Sequence, residues 1–388
     1  MRIALATSSY DPYVGGVEEH VRNVARILRA RGHDVVVWTI ERDGRFGVRE
    51  VDGIEVWDLP APLPARSVPS MLRFAIRMPQ AALHWRRAFR SHRPDVIHVH
   101  CFGPNGTYAR LLAARTGTPL VITSHGETVA DDAGVFTHSR FAIDSLRKGL
   151  AAAAAVTGCS RVVLEDLTVR FGLAPGRGVV VFNGIDLDEP VGVPPAGVDG
   201  RYICAVGRVQ KMKGFDLLIE AFARAELPPD IRLIIGGAGP ELDALRRQAD
   251  RLGIGERVVL PGRLDRPTVG ALREGAYIGV MPSRFEAFGI AALEVWRGRS
   301  ALVATTHGGA PEFVTHSSDG LLVDPLDVDA LAGALRTLTD EPGLAAQLSA
   351  AGAERVRSFT WERAVDAYES VYGDLPAAHA ETADTDIT

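Results

Sequence analysis

Apolar residues fall into two textures along this chain. Short unbroken runs at Arg2 to Ser8, Val35 to Ile40, Val96 to Val99 and Leu120 to Thr123 lack polar alternation and predict strands buried on both faces. Between them, Val17, Val21, Val24, Ala25 and Leu28 recur at helical spacing and predict a helix over Val17 to Ala30. Further helices are expected around Met71 to Phe89 and Tyr108 to Ala114, and an Ala-rich one ends near Ala154. Short strands alternating with helices predict an α/β, doubly wound parallel sheet.

After Phe182 the stretch DLDEPVGVPPAGVDG, dense in Pro and Gly, breaks this rhythm. A strand at Tyr202 to Val206 then opens a second series. Helices at Phe215 to Arg224 and Glu241 to Leu252 alternate with strands at Ile231 to Ile235, Val258 to Leu260, Tyr277 to Met281 and Leu302 to Ala304. The expected organisation is one domain over 1–182, a second over 183–360, and a tail over 374–388 whose composition predicts disorder.

Ser283 to Glu294, SRFEAFGIAALE, sets two carboxylates eight residues apart across a strand-to-helix turn. Glu286, Ile290 and Glu294 follow i, i+4, i+8 spacing, which predicts both glutamates on one side of the helix start. Free N–H groups there attract anions, and carboxylates beside them accept hydrogen bonds from hydroxyls. Phosphate plus sugar is the ligand this pattern suits. Glu294 lies among Ala291, Ala292, Leu293, Val295 and Trp296, surroundings too apolar for a carboxylate without a partner.

The E-x7-E pattern with Phe288-Gly289 after its first Glu resembles the nucleotide-sugar site of retaining GT-B glycosyltransferases, family 4 (group 1) in particular. Other pieces follow in that family's order: Gly15-Gly16-Val17-Glu18, Ser124-His125-Gly126, Asn183-Gly184-Ile185-Asp186, Gly207-Arg208 through Lys213-Gly214, Gly236 to Gly239, and Gly308-Gly309 with Glu312. The resemblance implies two Rossmann-like domains facing a central cleft, the first binding acceptor and the second donor, with 361–373 crossing back onto the first. It assigns Arg208 and Lys213 to the donor diphosphate, Glu294 to the ribose hydroxyls, and Glu286 to the transferred sugar. Gly15, Gly16, Gly237 and the backbone at Phe288, Gly289 and Ile290 complete the donor set. It further implies retention of configuration, cations in place of a metal, and no cofactor beyond a nucleoside diphosphate sugar, with UDP-sugar the default. One departure is the bulky, basic run Val295 to Ala301, where the family has a small Gly-x-Pro turn.

Two of the three lysines fall in GRVQKMKG, where positive charge can neutralise a diphosphate leaving group; the bland alternative is a solvated loop. His125 closes a strand and points from its carboxyl end, the usual ligand position of such sheets, where it would position donor or acceptor. His98 and His100 share a strand face, but no third metal ligand is fixed by the sequence, so metal is not expected. The D-x-D pairs Asp327/Asp329 and Asp384/Asp386 sit before a helix and in the tail, contexts that favour chance.

The net charge of −5 argues against a nucleic-acid binder, and the N-terminal apolar run is too short for a signal peptide. Cys101, Cys159 and Cys204 are far apart in apolar segments and read as buried free thiols in a cytoplasmic protein. For the acceptor, two charge patterns oppose each other. Arg66 to Arg93 holds seven arginines, two histidines and no acid, which favours an anionic membrane and a phospholipid or polyprenyl-linked acceptor. Glu18, Glu19, Glu127, Asp131 and Asp132 at the acceptor side instead favour a soluble polar acceptor, such as an amino-sugar or aminocyclitol of antibiotic biosynthesis. The soluble reading is preferred, with the arginines taken as a solvated helix face. An epimerase, a phosphorylase or a non-catalytic sugar-nucleotide sensor are the rival classes.

Overall fold

The computed structural model describes residues 1–13, 15–41, 46–64, 68–129, 134–195 and 197–376. It divides into two compact units, one of residues Met1–Phe182 with Trp361–Thr388, the other Asn183–Thr360.

Among the described residues of the first unit, eight strands form one sheet: β1 (Arg2–Thr7), β2 (Asp34–Ile40), β3 (Gly47–Val51), β4 (Ile54–Leu59), β5 (Val96–His100), β6 (Leu120–Ser124), β7 (Ala155–Gly158) and β8 (Gly178–Val180). Their order is β3-β4-β2-β1-β5-β6-β7-β8, and every pairing is parallel except β3 with β4. The helix Gly16–Ala30 joins β1 to β2 and buries Val21, Val24, Ala25, Ile27 and Leu28. The first-unit core gathers Trp38, Trp57, Trp85, Ile97, Val99 and Ile122, with Trp85 stacked on Tyr108 at 5.5 Å between centroids. The C-terminal helix Trp361–Gly373 belongs to this unit. Its Tyr372 hydroxyl lies 2.6 Å from His98 Nδ1, and its Glu369 meets Arg31 and His33.

Strands β3 and β4 are absent from the sequence reading. Val51-Asp52-Gly53-Ile54 is a two-residue hairpin with φ of 53° at Asp52 and 75° at Gly53, the left-handed pair that Asp-Gly favours. The short β7 and β8 and the helix Arg161–Phe171 between them also escape it, because the run of alanines before β7 reads as uninterrupted helix.

Among its described residues the second unit holds six parallel strands: β9 (Tyr202–Val206), β10 (Arg232–Gly236), β11 (Val258–Gly262), β12 (Ile278–Met281), β13 (Ala301–Thr305) and β14 (Leu321–Val323), ordered β11-β10-β9-β12-β13-β14. The reversal of winding lies between β9 and β12, so the loops after these two strands stand side by side at a topological switch point, where ligands of such sheets bind. Among the described residues no helix is long and apolar enough to cross a membrane. Asp374 and Leu375, where the tail was expected to begin, still donate to carbonyls of the last helix turn, and 377–388 lie outside the described residues. Cys159 and Cys204 are buried thiols outside any disulfide, as expected, whereas Cys101 is half-buried.

Candidate active site

Loops after β9, β10, β12 and β13 are laced together through their backbones. Gly207 N donates to Gly236 O at 3.0 Å, Val209 N to Ala238 O at 2.9 Å, Arg284 N to Met212 O at 2.8 Å and Glu286 N to His307 O at 3.0 Å. Such contact admits no side chain. Gly237 (φ +140°) would drive a Cβ into the Gly207 carbonyl, and Gly308 (φ +112°) would drive one into that of Glu286. The Gly236 to Gly239 turn therefore works as a support for the neighbouring loop.

On this frame the Lys211–Lys213 turn delivers its two lysines differently. Lys211 Nζ binds Asp216 at 2.6 Å, and Arg284 clasps the same carboxylate at 2.7 and 2.8 Å. Burial would raise Asp216, but Arg284 and Lys211 outweigh it and hold its pKa at about 2. Lys213 Nζ reaches Glu286 Oε2 at 2.7 Å, and Ser283 Oγ donates to the same oxygen at 2.9 Å. The guanidinium of Arg208 is exposed and has no partner among the described residues. Of the clustered cations, Lys211 is held by Asp216 and Lys213 by Glu286, and the Arg208 guanidinium alone has no partner among the described residues.

The helix Ile290–Arg297 starts after Gly289 (φ +106°) with no side chain capping it. Ile290 opens it, and the Phe288 ring is buried against Phe313 at 4.7 Å between centroids. Glu286 is not on this helix. It forms a parallel bridge with Gly308, so the i, i+4, i+8 argument holds only from Ile290 to Glu294. Glu294 has the partner its surroundings require: Arg273, itself 4% exposed, binds Glu294 Oε2 at 2.7 Å and donates to Ala291 O at 2.8 Å. The sequence reading missed Arg273, whose only signal is the apolar context that demanded a counter-ion. The departure at Val295 to Ala301 also resolves into packing. Trp296 is fully buried with its N–H on Asp319 O at 2.8 Å, a Cβ at Gly298 would collide with the Arg273 backbone, and Ser300 Oγ donates to Arg273 O at 2.7 Å. The segment fixes the residue that holds Glu294.

In the first unit, Gly15 and Gly16 begin the helix that carries Glu18 and Glu19 in its first turn. The space over Gly15 is taken by the Glu18 carboxylate, so the missing side chain makes room for Glu18 rather than for a ligand's backbone contact. Two acids here oppose a phosphate and suit hydroxyls. Glu127 departs from its expected acceptor role. Its carboxylate accepts from Phe102 N at 2.9 Å, His125 N at 2.8 Å and Ser124 Oγ at 2.9 Å, which ties the loops after β5 and β6 together. Burial raises its pKa against the pull of those donors. Asp131 and Asp132 lie outside the described residues.

His125 emerges after β6 as expected, and its Nε2 lies within hydrogen-bonding distance of His100 Nδ1, at 3.2 Å. His20, from the first helix, brings a third imidazole, and ligand atoms of His20, His100 and His125 lie within 4.8 Å of one another. His98 is not part of this group, since Tyr372 and Thr123 take both its nitrogens at 2.6 Å. Burial lowers His98 to about 3 and, with the neighbouring imidazoles, holds His100 and His125 well below the ordinary value. Asp327 caps the helix Val328–Asp340 through Ala330 N at 2.9 Å and Asp329 pairs with Arg224, so this D-x-D has structural work; Asp384 and Asp386 lie outside the described residues.

Residues 193–355 match the Glycosyl transferases group 1 model and residues 14–189 match Glycosyltransferase Family 4. The glycogen synthase of Mycobacterium tuberculosis is 30% identical, covering 96% of this chain and 94% of that protein. The D-inositol 3-phosphate glycosyltransferase of Xylanimonas cellulosilytica is 29% identical, covering 92% and 91%. Among solved structures, sucrose-phosphate synthase from Thermosynechococcus elongatus superposes with a TM-score of 0.78 at 23% identity, covering 96% of this chain and 98% of the other. Anabaena HepE, solved with UDP-glucose, gives 0.75 at 19%, covering 96% and 100%. Two Rossmann-like units with these neighbours define the GT-B fold. The chain belongs to the family 4 (group 1) glycosyltransferases, and its reaction draws on a nucleotide-sugar donor.

Proposed function

We propose that this protein transfers a hexose from a uridine diphosphate sugar to a hydroxyl of a small polyhydroxylated acceptor, with retention at the anomeric carbon and without a metal ion or other cofactor. The observation that carries the reading is the placement of two cations of the second unit, Arg208 and Lys213, on the loop that packs beside a helix start with no side-chain cap. Arg208 has no partner among the described residues, and Lys213 stands with Glu286 beside the uncapped helix start at Gly289. Positive charge and free N–H groups there suit a diphosphate, and Glu294, oriented by Arg273, suits ribose hydroxyls. The UDP and UDP-glucose complexes of HepE support uridine and glucose as first choices.

The bond between the anomeric carbon and the diphosphate oxygen breaks, that oxygen keeps the electron pair, and Arg208 and Lys213 stabilise its charge. The acceptor oxygen bonds the anomeric carbon on the same face and passes its proton to the departing phosphate. Glu286 orients Lys213 and the transferred sugar, and His125 positions a sugar hydroxyl as a neutral imidazole. With Glu127 consumed in the fold, the electrostatic case for an amino group on the acceptor weakens, whereas Glu18 and Glu19 still suit hydroxyls. A cyclitol or sugar acceptor fits, and the names of the inositol-phosphate and glycogen-forming relatives support that class. Free thiols throughout fit a cytoplasmic setting.

Mass spectrometry of the protein with a panel of nucleotide sugars, alone and with cyclitol or sugar acceptors, tests the reading. Expected are slow hydrolysis of one UDP-sugar and an α-linked product from an α-linked donor. Donor isomerisation without acceptor, a strict need for inorganic phosphate, or binding without turnover over the panel would refute it in favour of an epimerase, a phosphorylase or a sensor.

A further inference from the structure

Three imidazoles of the first unit converge from three different elements. His20 comes from the helix Gly16–Ala30, His100 ends β5, and His125 follows β6. His20 and His100 are fully buried and His125 is half-buried, so the group is reached from the His125 side. His125 Nε2 and His100 Nδ1 stand 3.2 Å apart. Two imidazole nitrogens on one tetrahedral zinc ion, each about 2.0–2.1 Å from it, are about 3.4 Å apart. Ligand atoms of all three rings lie within 4.8 Å of one another, so a shift of about 1.5 Å at most closes the set around an ion.

The surroundings of the rings fit an ion better than a plain polar core. The Nε2 of His100 is buried and has no hydrogen-bond partner among the described residues, which leaves His125 as that ring's polar contact there. His98 differs, because Tyr372 and Thr123 take both its nitrogens. His20 Nε2 lies 2.9 Å from the Tyr368 hydroxyl, and Trp361 packs edge-on against the same ring at 5.3 Å between centroids. An outer hydrogen bond and an apolar wall of this kind orient a ligating imidazole. Glu127, which accepts from His125 N at 2.8 Å, places negative charge beside the group. Burial keeps His100 and His125 neutral, the form that ligates. The sequence reading found no third ligand because His20 sits on another element.

We propose that His20, His100 and His125 form a binding site for a transition-metal dication of the zinc class, with its fourth position open to water on the His125 side. Ligands that are all imidazole suit zinc, copper or nickel, whereas magnesium and calcium require oxygen. The ion is no cofactor of transfer. It takes the imidazole that transfer uses, so its arrival slows the reaction; this consequence rests on the role proposed above for His125, and the site itself does not.

Calorimetric titration of the whole, chelator-stripped protein with Zn²⁺ and with Mg²⁺, without substrates, tests the site. Expected are one Zn²⁺ per chain at micromolar Kd or tighter, no Mg²⁺, and the strong visible absorption of tetrahedral Co²⁺ when cobalt is used instead. His125→Asn, at the half-buried position, weakens zinc roughly a hundredfold or more. His20→Asn and His100→Asn do the same once circular dichroism verifies their fold. His307→Asn, which removes the partner of Asp324 in the second unit, leaves the affinity unchanged. No zinc binding, equal binding of Mg²⁺, an octahedral Co²⁺ spectrum or unchanged affinity in His125→Asn would overturn the proposal. Loss of affinity in His307→Asn would overturn it as well, by moving the ion to another place. Zinc should also slow transfer in step with occupancy, and EDTA should restore the rate. Occupancy with no loss of rate would support the metal site and strike the role of His125 in transfer.

Discussion

Arg273→Met tests how Glu294 is held. Arg273 is 4% and Glu294 24% exposed, and their 2.7 Å pair is joined by the bond from Arg273 to Ala291 O. Breaking a buried pair by removing one partner costs about 3–5 kcal/mol. Partial exposure of Glu294 lets water screen the orphaned carboxylate, which lowers that to roughly 2–3 kcal/mol, and the lost bond to Ala291 adds about 1 kcal/mol. The expected total is about 3–4 kcal/mol. Glu294→Gln keeps the shape and should cost about half as much, and the double variant should recover part of the sum, with a coupling energy near 2 kcal/mol. Urea titrations read by hydrogen exchange in the helix Ile290–Arg297 localise the effect to this unit. If Glu294 binds the donor ribose, Arg273→Met also raises KM for donor about tenfold with a smaller change in kcat. A coupling energy below about 0.5 kcal/mol would show that Arg273 and Glu294 act independently and would refute the reasoning.

Arg208→Ala and Lys213→Ala should each lower transfer at least about a hundredfold with the fold intact, and wild-type kinetics in both would remove the diphosphate assignment. Transfer should persist in excess EDTA; loss restored by magnesium or manganese would redirect attention to the aspartate pairs or to His20, His100 and His125. First-unit stability should fall on acidification. His98 drops from 6.5 to about 3 on folding, so between those values the unfolded chain binds the extra proton. Between pH 6.5 and about 3 its contribution declines by about 1.4 kcal/mol per pH unit as pH falls, a share of the slope that His98→Gln should lose while His100 and His125 keep theirs.

The alternation of apolar runs and helical spacing exposes the doubly wound units because buried parallel strands admit few polar residues. It hides β3 and β4, since an edge hairpin with exposed residues such as Val48 has no such run, although Asp52-Gly53 marks its turn. At the site, Lys213, Glu286 and Glu294 were legible as residue types at a strand-to-helix turn. Their partners were not: Lys213 and Glu286 are distant in sequence, and Arg273 reaches Glu294 from another helix. Glu127 shows the opposite failure, where a carboxylate beside a candidate histidine reads as ligand-binding until its three hydrogen bonds to loop groups are seen.

The return of the helix Trp361–Gly373 to the first unit sets the order in which the chain can mature during synthesis. His98, His20 and His33 acquire Tyr372, Tyr368 and Glu369 only when the last helix has been made. The whole second unit is made in between, which takes on the order of ten seconds at typical elongation rates. Until then the nascent first unit exposes the histidine-bearing surface that this helix covers, and the second unit, complete at Thr360, is free to finish folding first.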